Sequence, residues 1–237
     1  MYKQVCCLPI IRKSSNLDIA GHSTYCDETG GDYYDFLNVS ELSENQIVLA
    51  LGDVMGHGAA AAMLMATARG ILRSRAEMSG TLAEMLTHMN KLLAIDTGGT
   101  RFMTMMLMIL DLETGKGRWA SAGHDPPVVY DSQSDEFIEM GDESGLPLGI
   151  VEEETYEEME FENVRSGQTY LIATDGLWEA QPAEGELFGW DRMKEAVRRH
   201  ASLPAEEMKV RILAELDEFM GDEKPHDDVT FIIAKVK

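Results

Sequence analysis

Basic residues are scarce in this 237-residue chain: 20 Lys and Arg stand against 42 Asp and Glu, a net charge of −22 with His neutral. A surface of that sign repels phosphate backbones and anionic headgroups, which weighs against nucleic acid and acidic membrane as direct partners. The same surplus attracts divalent cations. Cysteine is nearly absent: Cys6, Cys7 and Cys26 form an odd set without CxxC spacing. That argues against a disulfide framework and a structural zinc site, and it fits a reducing compartment. Long apolar runs are missing too. No window approaches the roughly 20 residues of a membrane span, and no basic stretch followed by an apolar run opens the chain. Repeats, low-complexity tracts and Pro/Gly/Ser linkers are also lacking. The sequence therefore predicts a cytoplasmic protein with one domain over residues 1–237, and 44% apolar residues suffice for its core.

What is present reads as strands and helix pairs. Residues 17–25 alternate, and the apolar run 47–54 has the character of a strand buried on both faces. Residues 59–76 are rich in Ala, Met and Leu without Pro, while Leu82, Met85, Leu86, Met89, Leu92 and Leu93 follow a helical period. Residues 102–111 and 117–122 read as strands around a turn at Glu113, Thr114 and Gly115. Short strands are expected at 128–130, 137–140, 159–161 and 170–174. Helical spacing returns at Trp190, Met193 and Val197, then at Ile212, Leu216, Phe219 and Met220, before a last strand at 229–236. This order is not βαβ alternation, so an α+β sandwich is expected. The acidic residues 152–162 suit a solvated edge strand or loop. Met103, Met105, Met106 and Met108 read as core packing.

Four aspartates fall where an apolar strand meets a turn: Gly31-Asp32, Gly52-Asp53, Asp175-Gly176 and Asp227-Asp228. One such Asp is commonly a cap or turn residue. Four together suggest a shared site, because clustered carboxylates raise one another's pKa unless cations neutralise them. Oxygen ligands without Cys or clustered His favour Mg²⁺, Mn²⁺ or Ca²⁺. In Leu51-Gly52-Asp53-Val54-Met55-Gly56-His57-Gly58 a buried strand ends in Asp and glycines lead into a helix. It lacks the Gly-Lys-Ser/Thr of a P-loop, so nucleotide binding is not indicated.

Seven blocks in order carry a specific resemblance: Leu8-Pro9, Gly30-Gly31-Asp32-Tyr33-Tyr34-Asp35, the stretch from Gly52 to Gly58, Ser121-Ala122-Gly123-His124, Leu146-Pro147-Leu148-Gly149, Thr174-Asp175-Gly176 and Asp227-Asp228-Val229-Thr230. The chain resembles PPM-type, metal-dependent protein serine/threonine phosphatases of the bacterial branch typified by stage II sporulation protein E and RsbU. The resemblance implies two antiparallel sheets flanked by helix pairs, with two Mn²⁺ or Mg²⁺ ions. It implies that Asp53 bridges both ions and that the Val54 carbonyl and Asp32 serve one. Asp175 and Asp227 would complete the other, with Asp228 as the neighbouring alternative. It further implies a phosphoprotein substrate such as an anti-sigma-factor antagonist, upstream sensory or response-regulator modules, and a homodimer as one assembly open to the chain.

Phosphate-monoester hydrolysis can require acceleration near 10²¹-fold, roughly 28 kcal/mol, whereas a general base supplies about 10²- to 10⁴-fold. Direct attack by metal-bridging water, with no phosphoenzyme, is the expected chemistry. Where eukaryotic relatives have a His two residues beyond the bridging Asp, this chain has Met55. His57, His124 and His226 are candidate substitutes for that proton donor, though a lone His is more often structural. No equivalent of the relatives' phosphate-binding Arg stands out; Arg12 and Lys13 are nearby. Asp35 reads equally as a support for the site or a strand-end cap. Two other functions use similar residues: a two-metal phosphodiesterase or nuclease, which the acidic surface disfavours, and a phosphatase-like domain acting as a metal-dependent interaction module.

Overall fold

The computed structural model describes residues 16–37, 46–141, 144–183 and 185–237. Its element order is β1 (Leu17–Thr24), β2 (Tyr33–Leu37), β3 (Val48–Val54), α1 (Ala59–Ala76), α2 (Leu82–Thr97), β4 (Met103–Asp111), β5 (Lys116–Ala122), β6 (Val128–Asp131), β7 (Glu136–Ile138), β8 (Met159–Glu162), β9 (Gln168–Ala173), a 3₁₀ turn (Asp175–Leu177), α3 (Gly189–His200), α4 (Ala205–Met220) and β10 (Val229–Val236). The strands form two five-stranded antiparallel sheets, ordered β1-β10-β9-β6-β7 and β2-β3-β4-β5-β8. The fold is α+β, with a helix pair on the outer face of each sheet.

Three apolar layers follow from the period-2 alternation of the central strands. In β3, Val48, Ala50 and Val54 pack with α1 and α2, while Leu49 and Leu51 face the other sheet. In β4, Met103 and Met105 face the helices and Met106 and Met108 fill the space between sheets. In β10, Phe231 and Ile233 pack on α3 and α4, whereas Ile232 and Ala234 point between the sheets. Burial on both faces explains why these strands read as continuous apolar runs. The methionines are core residues, as expected.

Helix ends follow local chemistry. The Thr81 hydroxyl accepts from the Glu84 amide, and the Glu84 carboxylate accepts from the Thr81 amide, a reciprocal cap that starts α2. Gly58, at φ 81°, leads into α1 without a side-chain cap. The guanidinium of Arg73 on α1 grips buried Asp35 of β2 through two hydrogen bonds, at 2.7 and 2.8 Å, and the Tyr33 hydroxyl donates to the same carboxylate. Asp35 therefore fastens a helix to a sheet in mid-strand, not at a strand end.

Three expectations change. Residues 33–37 form β2, which the glycine and aspartate motif in the sequence obscured. Asp32 and Asp227-Asp228 precede their strands, so only Asp53 and Asp175 lie where a strand gives out. Strand β7 ends at Ile138, short of the expected Met140, and β8 is an edge strand within the acidic stretch. Leu8-Pro9, Arg12, Lys13, Cys6 and Cys7 lie outside the described residues.

Candidate metal centre

Antiparallel register places the aspartates at one end of the sandwich. Tyr33 pairs with Gly52, and continuing that register sets Asp32 opposite Asp53. Phe231 pairs with Ala173, so the start of β10, with Asp227 and Asp228 just before it, lies beside the exit of β9, where Asp175 follows. The two pairs come from different sheets. Asp228 joins them: its carboxylate accepts from the Cys26 amide at 2.9 Å, the Gly31 amide at 2.8 Å and the Asp32 amide at 3.4 Å.

Two glycines permit this approach. A Cβ on Gly176 would stand 2.1 Å from the Asp228 carbonyl oxygen, and one on Gly30 would stand 2.3 Å from Asp228 Oδ2. The Val54 carbonyl lies against Gly31, the residue before Asp32, where a Cβ would meet it at 3.0 Å. The Thr174 hydroxyl donates to Asp32 Oδ2 at 2.9 Å and accepts from the Thr230 amide at 3.1 Å, linking the ends of β9, β2 and β10. Residue spacing gave no signal for Thr174 as a partner of Asp32.

The electrostatics show which carboxylates act on one another. Burial, then the Asp53 charge, pushes Asp32 well above the usual carboxylate range, against opposing hydrogen bonds from the Thr230 and Thr174 hydroxyls. Burial, then Asp175, pushes Asp53 up to about 7, with Asp227 and Asp228 adding to the rise. Asp175 is also raised, by burial first and then by Asp227. The strongest charges acting on Asp53 are thus other carboxylates. Such a set is costly when ionised and suits hard divalent cations. The donor types fit such ions: Asp53, Asp32, Asp175 and Asp227 would offer carboxylate oxygens and Val54 a carbonyl.

Asp227 and Asp228 differ. Asp227 is exposed, whereas Asp228 is buried with both oxygens engaged by backbone amides. Cys26 is a neighbour that sequence reasoning did not place here: its sulfur and oxygens of Asp227 and Asp228 all lie within 4.8 Å of one another. Its thiol is pushed up to about 12, first by burial and then by Asp228, so it is protonated at neutral pH.

The histidines separate. His57 is exposed and pairs with Asp27 at 3.4 Å. His226 is exposed. His124 is buried, its Nδ1 is 3.0 Å from the Thr104 hydroxyl, and burial lowers its pKa to about 4, leaving a neutral ring. Thr104 is the cross-strand partner of Asp53, so His124 braces the strand carrying that residue's neighbour.

No helix of the described residues is long and apolar enough to cross a membrane. Among proteins of known sequence, the chain is 28% identical over 221 residues to phosphoserine phosphatase RsbU of Bacillus subtilis strain 168, covering 93% of this chain and 64% of that protein. The chain thus spans just under two thirds of that relative. Among solved structures, the SiaA PP2C domain of Pseudomonas aeruginosa matches with TM-score 0.80 at 22% identity, covering 92% of this chain and 86% of that one. The PP2C phosphatase domain of SpoIIE from Bacillus subtilis, solved with a regulatory fragment, matches with TM-score 0.78 at 20% identity, covering 94% and 64%. These two likenesses establish the fold. Residues 43–237 match the family described as Stage II sporulation protein E (SpoIIE), and the chain belongs to that family.

Proposed function

We propose that this chain is a metal-dependent protein phosphatase that hydrolyses phosphoserine or phosphothreonine on a protein. One observation carries the reading: antiparallel register brings aspartates of both sheets to one end of the sandwich, where burial and the Asp53 charge raise Asp32, burial and Asp175 raise Asp53, and burial and Asp227 raise Asp175. Membership of the SpoIIE family and the phosphoserine phosphatase activity named for RsbU support it.

In this reading Asp53, Asp32, Asp175, Asp227 and the Val54 carbonyl would hold divalent cations. Mn²⁺ or Mg²⁺ held there would activate water near neutral pH and offset charge on the phosphoryl group. Asp228 holds Gly31 and Cys26 in place through their amides, while Thr174 fixes the Asp32 carboxylate. The neutral, buried His124 is unsuited to protonate a leaving group. A phosphorylated anti-sigma-factor antagonist is the substrate we favour, in a cytoplasmic signalling pathway with sensory modules and a homodimeric assembly as further features.

The assay is hydrolysis of p-nitrophenyl phosphate and a phosphoserine peptide during Mn²⁺ titration. Wild type should turn over both, and Asp53→Asn or Asp175→Asn should lower kcat at least 10³-fold. Turnover absent with metal, or unchanged by both substitutions, would favour an interaction module.

A further inference from the structure

The buried ring of His124 lies between strands that belong to different sheets. Its Nδ1 is 3.0 Å from the hydroxyl of Thr104 on β4, the cross-strand partner of Asp53. The ring also meets the carbonyl of Ala173, the acceptor that opposes the effect of burial on it. Ala173 ends β9, and Asp175 follows two residues later. Nε2 is buried without a hydrogen bond of good geometry, so the contact with β9 is the looser of the two.

The turn that carries His124 aims the ring into this place. The His124 amide donates to the Ser121 hydroxyl at 3.1 Å, and that hydroxyl donates to the His124 carbonyl at 2.8 Å. Gly123 takes φ 70°, and a Cβ there would stand 2.5 Å from Pro147. Asp125, the next residue, carries a charge that acts on Asp175. A buried ring nitrogen without a well-aligned partner destabilises a core, and a Phe of similar size would not incur that loss. A polar group kept in such a position calls for a reason.

We propose that His124 is a positioning residue, a polar strut that holds β4 and β9 at the separation in which Asp53 of one sheet and Asp175 beside the other can share bound cations. This deepens the metal-centre reading and rests on it. His124 forms no hydrogen bond with either carboxylate; it acts through Thr104, opposite Asp53, and through the end of β9, just before Asp175. Cation binding by oxygens drawn from two sheets tolerates little change in their separation, and residues that support ligands from behind commonly contribute roughly 10- to 100-fold in metal affinity.

The experiment uses the full chain and four variants: His124→Phe, Thr104→Val, Thr104→Ser, and His124→Phe combined with Thr104→Val. Mn²⁺ affinity is measured by calorimetric titration, and backbone protection by hydrogen exchange with mass spectrometry in EDTA. His124→Phe and Thr104→Val should each weaken Mn²⁺ binding about 10-fold, and the double variant should be no weaker than the worse single one. Thr104→Ser keeps the hydroxyl and should stay within about 2-fold of wild type. In exchange, His124→Phe should lose protection at both ends of the strut, residues 102–105 and 173–176.

Unchanged Mn²⁺ affinity in His124→Phe, additive losses in the double variant, or exchange that rises at one end alone would overturn the proposal. Should His124→Phe fail to fold, Thr104→Val, which replaces only the hydroxyl, carries both measurements. If wild type binds no Mn²⁺, the metal reading fails separately. The exchange data then decide the strut: protection lost at both ends sustains it, and loss at one end or neither ends it.

Discussion

The Gly31 amide donates to the Asp228 carboxylate at 2.8 Å, fastening the entry to β2 in one sheet to the start of β10 in the other. The Cys26 amide donates to the other oxygen at 2.9 Å. Asp228→Ala leaves these donors without an acceptor and should cost about 2–4 kcal/mol of stability. Exposed Asp227 accepts the amide of its neighbour Asp228 at 2.8 Å, an acceptor that Asn retains. Asp227→Asn should therefore keep wild-type Tm in EDTA and weaken Mn²⁺ binding at least 10-fold, while Asp228→Ala lowers Tm even without metal. Calorimetric melting and Mn²⁺ titration separate the two.

Gly176 is required for space. The 2.1 Å approach of a built Cβ to the Asp228 carbonyl oxygen means that Gly176→Ala must displace backbone next to Asp175 and Asp227. We expect a loss above about 2 kcal/mol, together with weaker Mn²⁺ binding. Gly56 is the contrast: its φ of 81° disfavours a side chain, yet nothing stands within 4 Å of a built Cβ. Gly56→Ala should cost about 1 kcal/mol, from backbone conformation alone. Urea unfolding of both variants checks the difference.

Asp53 makes metal-free stability depend on pH. Its carboxyl is raised to about 7 in the folded chain, against about 3.9 when unfolded. Between those values the folded chain holds more protons, so its stability falls as pH rises, and the loss is complete above 7. His22 and His124, both lowered to about 4 chiefly by burial, act oppositely: their contribution is full above about 6.5 and is lost as pH falls toward 4. Comparing wild type with Asp53→Asn isolates the aspartate. In EDTA the variant's advantage should grow between pH 4.5 and 8 to a few kcal/mol, and Mn²⁺ should remove it. A constant difference across that range would contradict the electrostatic description.

Arg73 and Asp35 tie α1 to β2 through a buried carboxylate. Arg73→Met removes the cation but leaves the charge, an expected loss of about 3 kcal/mol. Adding Asp35→Leu should restore part of that loss, since an apolar pair no longer strands a charge. Denaturant midpoints of the single and double variants test the coupling.

Much of the fold was legible because buried strands and helix faces leave plain periods. The β3-to-α1 junction is an example: the apolar run ends at Val54, Gly56 and Gly58 take positive φ, and an Ala-rich helix begins. Strand β2 was harder, since Tyr33, Tyr34, Asp35 and Phe36 are all buried and show no alternation of apolar and polar residues. Asp35 could not be assigned from sequence because its partner Arg73 is 38 residues away. The same limit applied to Asp227 and Asp228. As neighbours they look equivalent, and only packing against Cys26 and Gly31 distinguishes them.

The most direct test is a crystal of the protein grown with Mn²⁺ and measured for anomalous scattering. The account predicts two peaks bridged by Asp53, one beside Asp32 and the Val54 carbonyl and the other beside Asp175 and Asp227, with Asp228 still holding the Cys26 and Gly31 amides. No peak at these carboxylates, or ions bound only elsewhere on the acidic surface, would contradict it.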